Sequence, residues 1–173
     1  MQWLDRILAG SAATVGGALV MHLAAPAAAA LAPPAGSITH ANAALFLGRV
    51  VYQNPLIEPL FWGAAATHVV AALVRRALAA RRTRTPLRTF LRADLHALAG
   101  RALVPLLGVH VALNRLAPAS EAAPISALGP AELGMEYVAY GMQRWPVLSA
   151  GLYALLIGAG MWHVLCGVPK LVR

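Results

Sequence analysis

Four apolar stretches, residues 7–31, 56–79, 95–117 and 146–168, occupy most of this 173-residue chain, and each has the length a helix needs to cross a bilayer. Inside hydrocarbon every backbone N–H and C=O must find its partner within the spanning segment itself, so such stretches fold as helices. With 60% hydrophobic and 12% charged residues and a mean hydropathy of +0.66, the chain carries too little charge to coat a soluble domain of this size. The expected fold is therefore an all-α integral membrane protein, a four-helix transmembrane bundle forming one domain over residues 1–173.

The third stretch has a short uncharged core, Ala102 to Asn114, so Arg101 and Arg115 are expected to reach toward opposite headgroup layers along their aliphatic stems. The first could be read as a secretory signal, since alanines follow its apolar run. Asp5 and Arg6 cancel at its front, however, and Pro33-Pro34 follow it, so a retained span is the expectation.

Net charge is +8, and half of the basic residues lie together: Arg75, Arg76, Arg81, Arg82, Arg84, Arg88 and Arg92 fall in the connection 75–92 between the second and third spans. Arg6, Lys170 and Arg173 flank the termini. Four crossings put all three places on one side, which the positive-inside rule assigns to the cytoplasm, with both termini and the Arg-rich loop. Phe90 is the single aromatic residue interleaved with them, too little for a base-stacking platform, so the cluster points to anionic headgroups rather than nucleic acid. The six histidines are scattered, Cys166 stands alone, and no HExxH, P-loop or GxSxG pattern occurs, which argues against an enzyme and against any metal other than a haem iron.

Residues 1–80 and 95–173 follow one programme: a span, a proline-opened loop, a short amphipathic stretch, a proline and a second span. Tyr52-Gln53-Asn54-Pro55 matches Gln143-Arg144-Trp145-Pro146 in place, and His68-Val-Val-Ala-Ala-Leu-Val-Arg75 matches His163-Val-Leu-Cys-Gly-Val-Pro-Lys170. Two parallel helical-hairpin repeats are expected from this. The stretches 41–53 and 130–144 read as short interfacial helices, with Tyr52, Tyr137, Tyr140 and Trp145 at the depth of the aromatic belt. Gly16-Gly17, the alanines 27–30 and 64–66, and Gly151, Gly158 and Gly160 let helix backbones approach.

Each span carries a histidine away from its ends: His22, His68, His110 and His163. Ionisable side chains at membrane depth are rare and normally face a bundle interior. Counted from the non-cytoplasmic ends at about 1.5 Å per residue, His22 and His110 come out shallower than His68 and His163. Two accounts stay open. Spans one and three, and two and four, would each supply the imidazole pair of a bis-histidine haem b; alternatively the rings hydrogen-bond between helices as polar contacts. His40 and His96 fall near the membrane surfaces and are expected to be solvated. Glu58, at the start of the second span, suits the positive end of the helix dipole as a cap, or pairs with Arg49 or Arg144.

The ordered string Arg49, Tyr52-Gln53-x-Pro55-x-x-Glu58, His68, Gly100, Pro105, His110, Asn114-Arg115, Pro118, Gly134, Tyr137, Pro146 and Trp162-His163 resembles the transmembrane domain of the fungal mitochondrial adapter protein family over about residues 40–170. The resemblance implies the mitochondrial outer membrane, a role in lipid homeostasis at membrane contact sites, recruitment of a bridge-like lipid-transfer protein, and assistance to lipid movement between leaflets. Family members recruit that partner through a Pro-x-Pro segment ahead of the first span, and no two prolines here stand two apart. The bundle is also distantly similar to the haem-bearing membrane anchors of succinate dehydrogenase and fumarate reductase. The expected function is thus a non-enzymatic, multi-pass membrane protein that handles membrane lipids, with His68, His110, Asn114 and His163 lining a path for headgroups. Its alternatives are a haem b electron-transfer subunit and a structural subunit of a homo- or hetero-oligomer.

Overall fold

The computed structural model describes residues 2–33, 36–83, 94–122 and 132–171, and its regular elements there are all helical. They are α1 (Gln2–Leu31), α2 (Ser37–Tyr52), α3 (Glu58–Arg82), α4 (Leu95–Val111), which runs on as a π-helical turn (Ala112–Leu116), α5 (Met135–Arg144) and α6 (Pro146–Leu171). An all-α membrane protein is what the sequence requires and what is found.

The chain falls into two compact units, Met1–Phe90 and Leu91–Arg173, and both repeat one order of elements: a long helix, a short helix, a break, and a second long helix. In the first unit, α2 packs along the second half of α1, where Ala25, Ala41, Leu45 and Gly48 are buried. Small side chains there bring the two backbones together, which is the source of attraction between helices that share an apolar solvent. Asn54 breaks the path after α2: its Oδ1 accepts the Leu56 N–H at 2.9 Å. Pro59 then sits in the first turn of α3, where a missing N–H leaves no helical bond unmade. Antiparallel to the first half of α1, α3 buries Ala71 against Leu4 and Leu8, with Leu78 beside them.

In the second unit, Asp94 caps α4 by accepting the Ala97 N–H at 2.8 Å. The long helix does not stop at Val111 but widens into the π turn, with Ala117 N–H reaching the Ala112 carbonyl at 2.8 Å. Trp145 separates α5 from α6 in a non-helical conformation, and Pro146 begins α6. The α6 helix lies antiparallel to α4.

Among the described residues, three helices are long and apolar enough to cross a membrane: Gln2–Leu31, Leu95–Leu116 and Pro146–Lys170. A fourth is expected from the sequence over residues 56–79, where α3 lies. The α3 helix forms where the second span was expected but falls short in apolar character, because Glu58, His68, Arg75, Arg76, Arg81 and Arg82 are spread along its 25 residues. The two short helices appear at Ser37–Tyr52 and Met135–Arg144; Pro130, expected to open the second, lies outside the described residues, as do Arg84, Arg88, Arg92 and Arg173.

Candidate functional site

The polar groups on the apolar helices gather into two clusters in each unit, one near either end of the helix pair. In the first unit, the Ser11 hydroxyl lies at the buried face of α1 and meets His68 Nδ1 of α3 at 3.2 Å. Ser11 Oγ is also 2.7 Å from the Ile7 carbonyl and 3.1 Å from that of Leu8. A hydroxyl has one hydrogen, and those carbonyls can only accept it, so Oγ receives the His68 Nδ1–H. One and a half turns toward the chain start, Asp5 and Arg75 pair at 3.0 Å with both side chains half exposed.

Eleven residues beyond Ser11, about 16 Å along the helix, His22 meets the ring edge of Tyr52 at 5.6 Å and 77°. Arg49, one turn before Tyr52, donates to its hydroxyl and lies 5.8 Å from the Phe46 ring. Burial pushes the Tyr52 phenol above its ordinary value, opposed by the charge and hydrogen bond of Arg49. The sequence allows this approach through Gly48: a Cβ there would lie 2.8 Å from the Tyr52 ring and 3.4 Å from the Met21 carbonyl oxygen of α1. Pro26 adds polarity at the same level, because it has no N–H to give to the His22 carbonyl one turn earlier. Gln53 caps α2 through its backbone N–H to the Arg49 carbonyl. Glu58 opens α3, as expected of a carboxylate at a helix start, and accepts the Trp62 indole N–H at 3.3 Å.

In the second unit the corresponding place is the π turn. Asn114 Nδ2 lies 3.0 Å from the His110 carbonyl and 3.3 Å from His110 Nδ1, so an amide with two hydrogens gives one to each, and the imidazole proton sits on Nε2. Tyr153 of α6 donates its hydroxyl to Asn114 Oδ1 at 3.4 Å, and its ring meets His110 edge-on at 6.0 Å. Tyr137 of α5 donates to the Leu113 carbonyl at 2.9 Å, a group displaced from the regular ladder by the π turn. Arg115 follows on the same turn.

At the other end of this unit His96 and His163 stack, ring centroids 4.3 Å apart and 10° from parallel. This corrects the expectation that His96 is simply solvated: the antiparallel register of α4 and α6 sets it against His163, and it is half-buried there. His40 is exposed as expected, its Nδ1 donating to the Gly36 carbonyl at 2.7 Å.

The structure thus joins His22 with Arg49 and Tyr52, and His110 with Asn114, and it gives His68 and His163 partners within their own units. Ser11, His96, Tyr137 and Tyr153 complete these clusters without having been singled out as site residues. A hydroxyl donor at helical spacing from a histidine is the signal that Tyr153 and Ser11 offered; their pairing follows only from the register of two antiparallel helices. For haem b, the contacts give no support: the ring partners described are a hydroxyl, an amide, tyrosine rings and a second imidazole, each from the same unit.

Residues 105–173 match the family model described as MDM10-complementing protein 1, transmembrane domain. The resemblance to the adapter family's membrane domain is borne out over that part of the chain, which includes His110, Asn114, Arg115, Tyr137, Tyr153 and His163. No curated protein and no solved structure matches the chain.

Proposed function

We propose that this multi-pass membrane protein serves mitochondrial lipid homeostasis by easing the passage of lipid headgroups between leaflets, without enzymatic chemistry. One observation carries this reading: the matched segment holds a connected polar chain, Tyr153 to Asn114 to His110, within helices otherwise apolar enough to span a bilayer. Polar groups at such depth are tolerated where they are buried in protein or line a wet cavity. A zwitterionic or anionic headgroup crossing the hydrocarbon would exchange water for hydroxyl, amide and imidazole groups of this kind, with Arg49 and Tyr52 offering a second, cationic station in the first unit.

The adapter family also supports placement in the mitochondrial outer membrane at a contact site, with the Arg-rich connection facing the cytoplasm.

The test is reconstitution of the full chain into liposomes carrying a headgroup-labelled fluorescent phospholipid, followed by quenching from outside. Quenching of the inner-leaflet signal at a rate well above that of empty liposomes is expected. Protection of that signal equal to the empty control would overturn the proposal.

A further inference from the structure

The sequence His96-Ala-Leu-Ala-Gly100 on α4 recurs in spacing as His163-Val-Leu-Cys-Gly167 on α6. Four residues apart, each histidine and glycine share one helix face. Because the helices run antiparallel, each ring lies over the other helix's glycine: a Cβ at Gly100 would come 2.8 Å from His163 Cε1, and one at Gly167 would come 3.1 Å from His96 Cε1. The rings stack between, and the backbone bonds are reciprocal. His96 Nδ1 reaches the His163 carbonyl at 3.0 Å, and His163 Nδ1 reaches the His96 carbonyl at 3.2 Å.

We propose that His96 and His163 form a pH-sensitive clasp, which holds α4 against α6 while the stacked rings are neutral and releases that end of the pair when both are protonated. A carbonyl oxygen only accepts, so each Nδ1 already bears its hydrogen, and any further proton goes to Nε2. One imidazolium stacked on a neutral ring is tolerable; two positive rings face to face at 4.3 Å repel. Imidazole is the side chain whose ordinary titration falls in the range where compartments differ.

The surroundings do not cancel this repulsion. Lys170 of α6 and Asp94 of α4 face the pair and bridge each other at 3.3 Å, so the one carboxylate nearby is already engaged by an ammonium. Arg101 lies on the exposed side of α4 beyond the clasp, and Cys166 is the remaining titratable group on that stretch of α6. Since Asp94 and Lys170 are solvated, water and protons reach this end of the unit. The inference stands on the second unit's geometry and does not depend on lipid transport.

The full chain, with Cys166→Ala and spin labels at Leu95→Cys on α4 and Val168→Cys on α6, is reconstituted in lipid nanodiscs and the label separation is measured from about pH 8 to about pH 5. A single short separation is expected at the alkaline end, with a longer population growing as pH falls. In H96Q/H163Q, which keeps amide donors for the carbonyls but cannot charge, the short separation should persist throughout. Identical distributions at both ends of the range in the parent chain would overturn the proposal, as would an acid-dependent opening that survives in H96Q/H163Q. Should that variant fail to fold, the titration of the parent chain alone decides.

Discussion

Asn114 gives both amide hydrogens to one histidine and takes a third from Tyr153, so a single residue ties the π turn of α4 to α6. Replacing it by leucine should cost about 0.6–2 kcal/mol, the range for polar contacts between membrane helices, as read from unfolding of the detergent-solubilised protein in a denaturing surfactant. Tyr153→Phe removes one bond and keeps the ring against His110, and should cost less. In liposomes both substitutions should slow inner-leaflet quenching, Asn114→Leu the more. At the solvated end Asp94 has a different job. Its carboxylate accepts the Ala97 N–H, with Lys170 alongside, and is held below its ordinary value, the backbone bond being the main cause. A carboxyl lowered on folding stabilises the native state above its unfolded value of 3.8, and that contribution fades as pH falls through the lower folded value. Asp94→Ala should therefore cost about 1 kcal/mol near neutrality. The deficit should vanish in strong acid when the two unfolding curves are compared across pH.

At the scale of elements the α3 helix poses the sharpest question, because it lacks the composition of a span yet lies along one. The Arg75–Asp5 pair and the His68–Ser11 contact fix its register on α1. From Arg75 back to Glu58 the helix covers about 25 Å at 1.5 Å per residue, close to the hydrocarbon thickness of about 30 Å. A helix held at that register beside a spanning α1 shares its depth, with Glu58 and the terminal arginines reaching the two headgroup layers by snorkelling. In a Cys166→Ala background, Leu56→Cys and Thr83→Cys should react with an impermeant maleimide from opposite sides of sealed vesicles. Reaction of both from one side would leave three crossings. The same element shows what the sequence could tell. The starts and ends of α1, α2, α3 and α6 follow from apolar runs, prolines and glycines, and each lies within a few residues of its expected place. The π turn at Ala112–Leu116 was not legible: the span was expected to run to 117, but nothing in its residue types says that the last turn widens, and only the hydrogen-bond ladder reveals it. The His96–His163 stack was equally hidden, since a contact across 67 positions depends on register and His96 alone looks like a surface residue.

For the molecule as a whole, orientation rests on charge placed at a distance from the polar clusters. Arg6, the arginines from 75 to 92, and the pair Lys170 and Arg173 fall on one side only if α3 crosses, and they are ten of the 14 basic residues. Each basic residue held near an anionic leaflet is worth about 1 kcal/mol, so several together set the favoured orientation. Neutralising Arg81, Arg82, Arg84 and Arg88 to glutamine should then yield a mixed population, seen as partial protease protection of a tag at the N-terminus, where the parent chain gives one uniform pattern. The helices and their polar clusters should survive the change, because the contacts within each unit that define them, from Ser11–His68 to Asn114–Tyr153, involve none of those four side chains. An orientation that stays uniform would mean that the apolar segments and the insertion machinery, rather than the arginines, decide which face of this protein meets the cytoplasm.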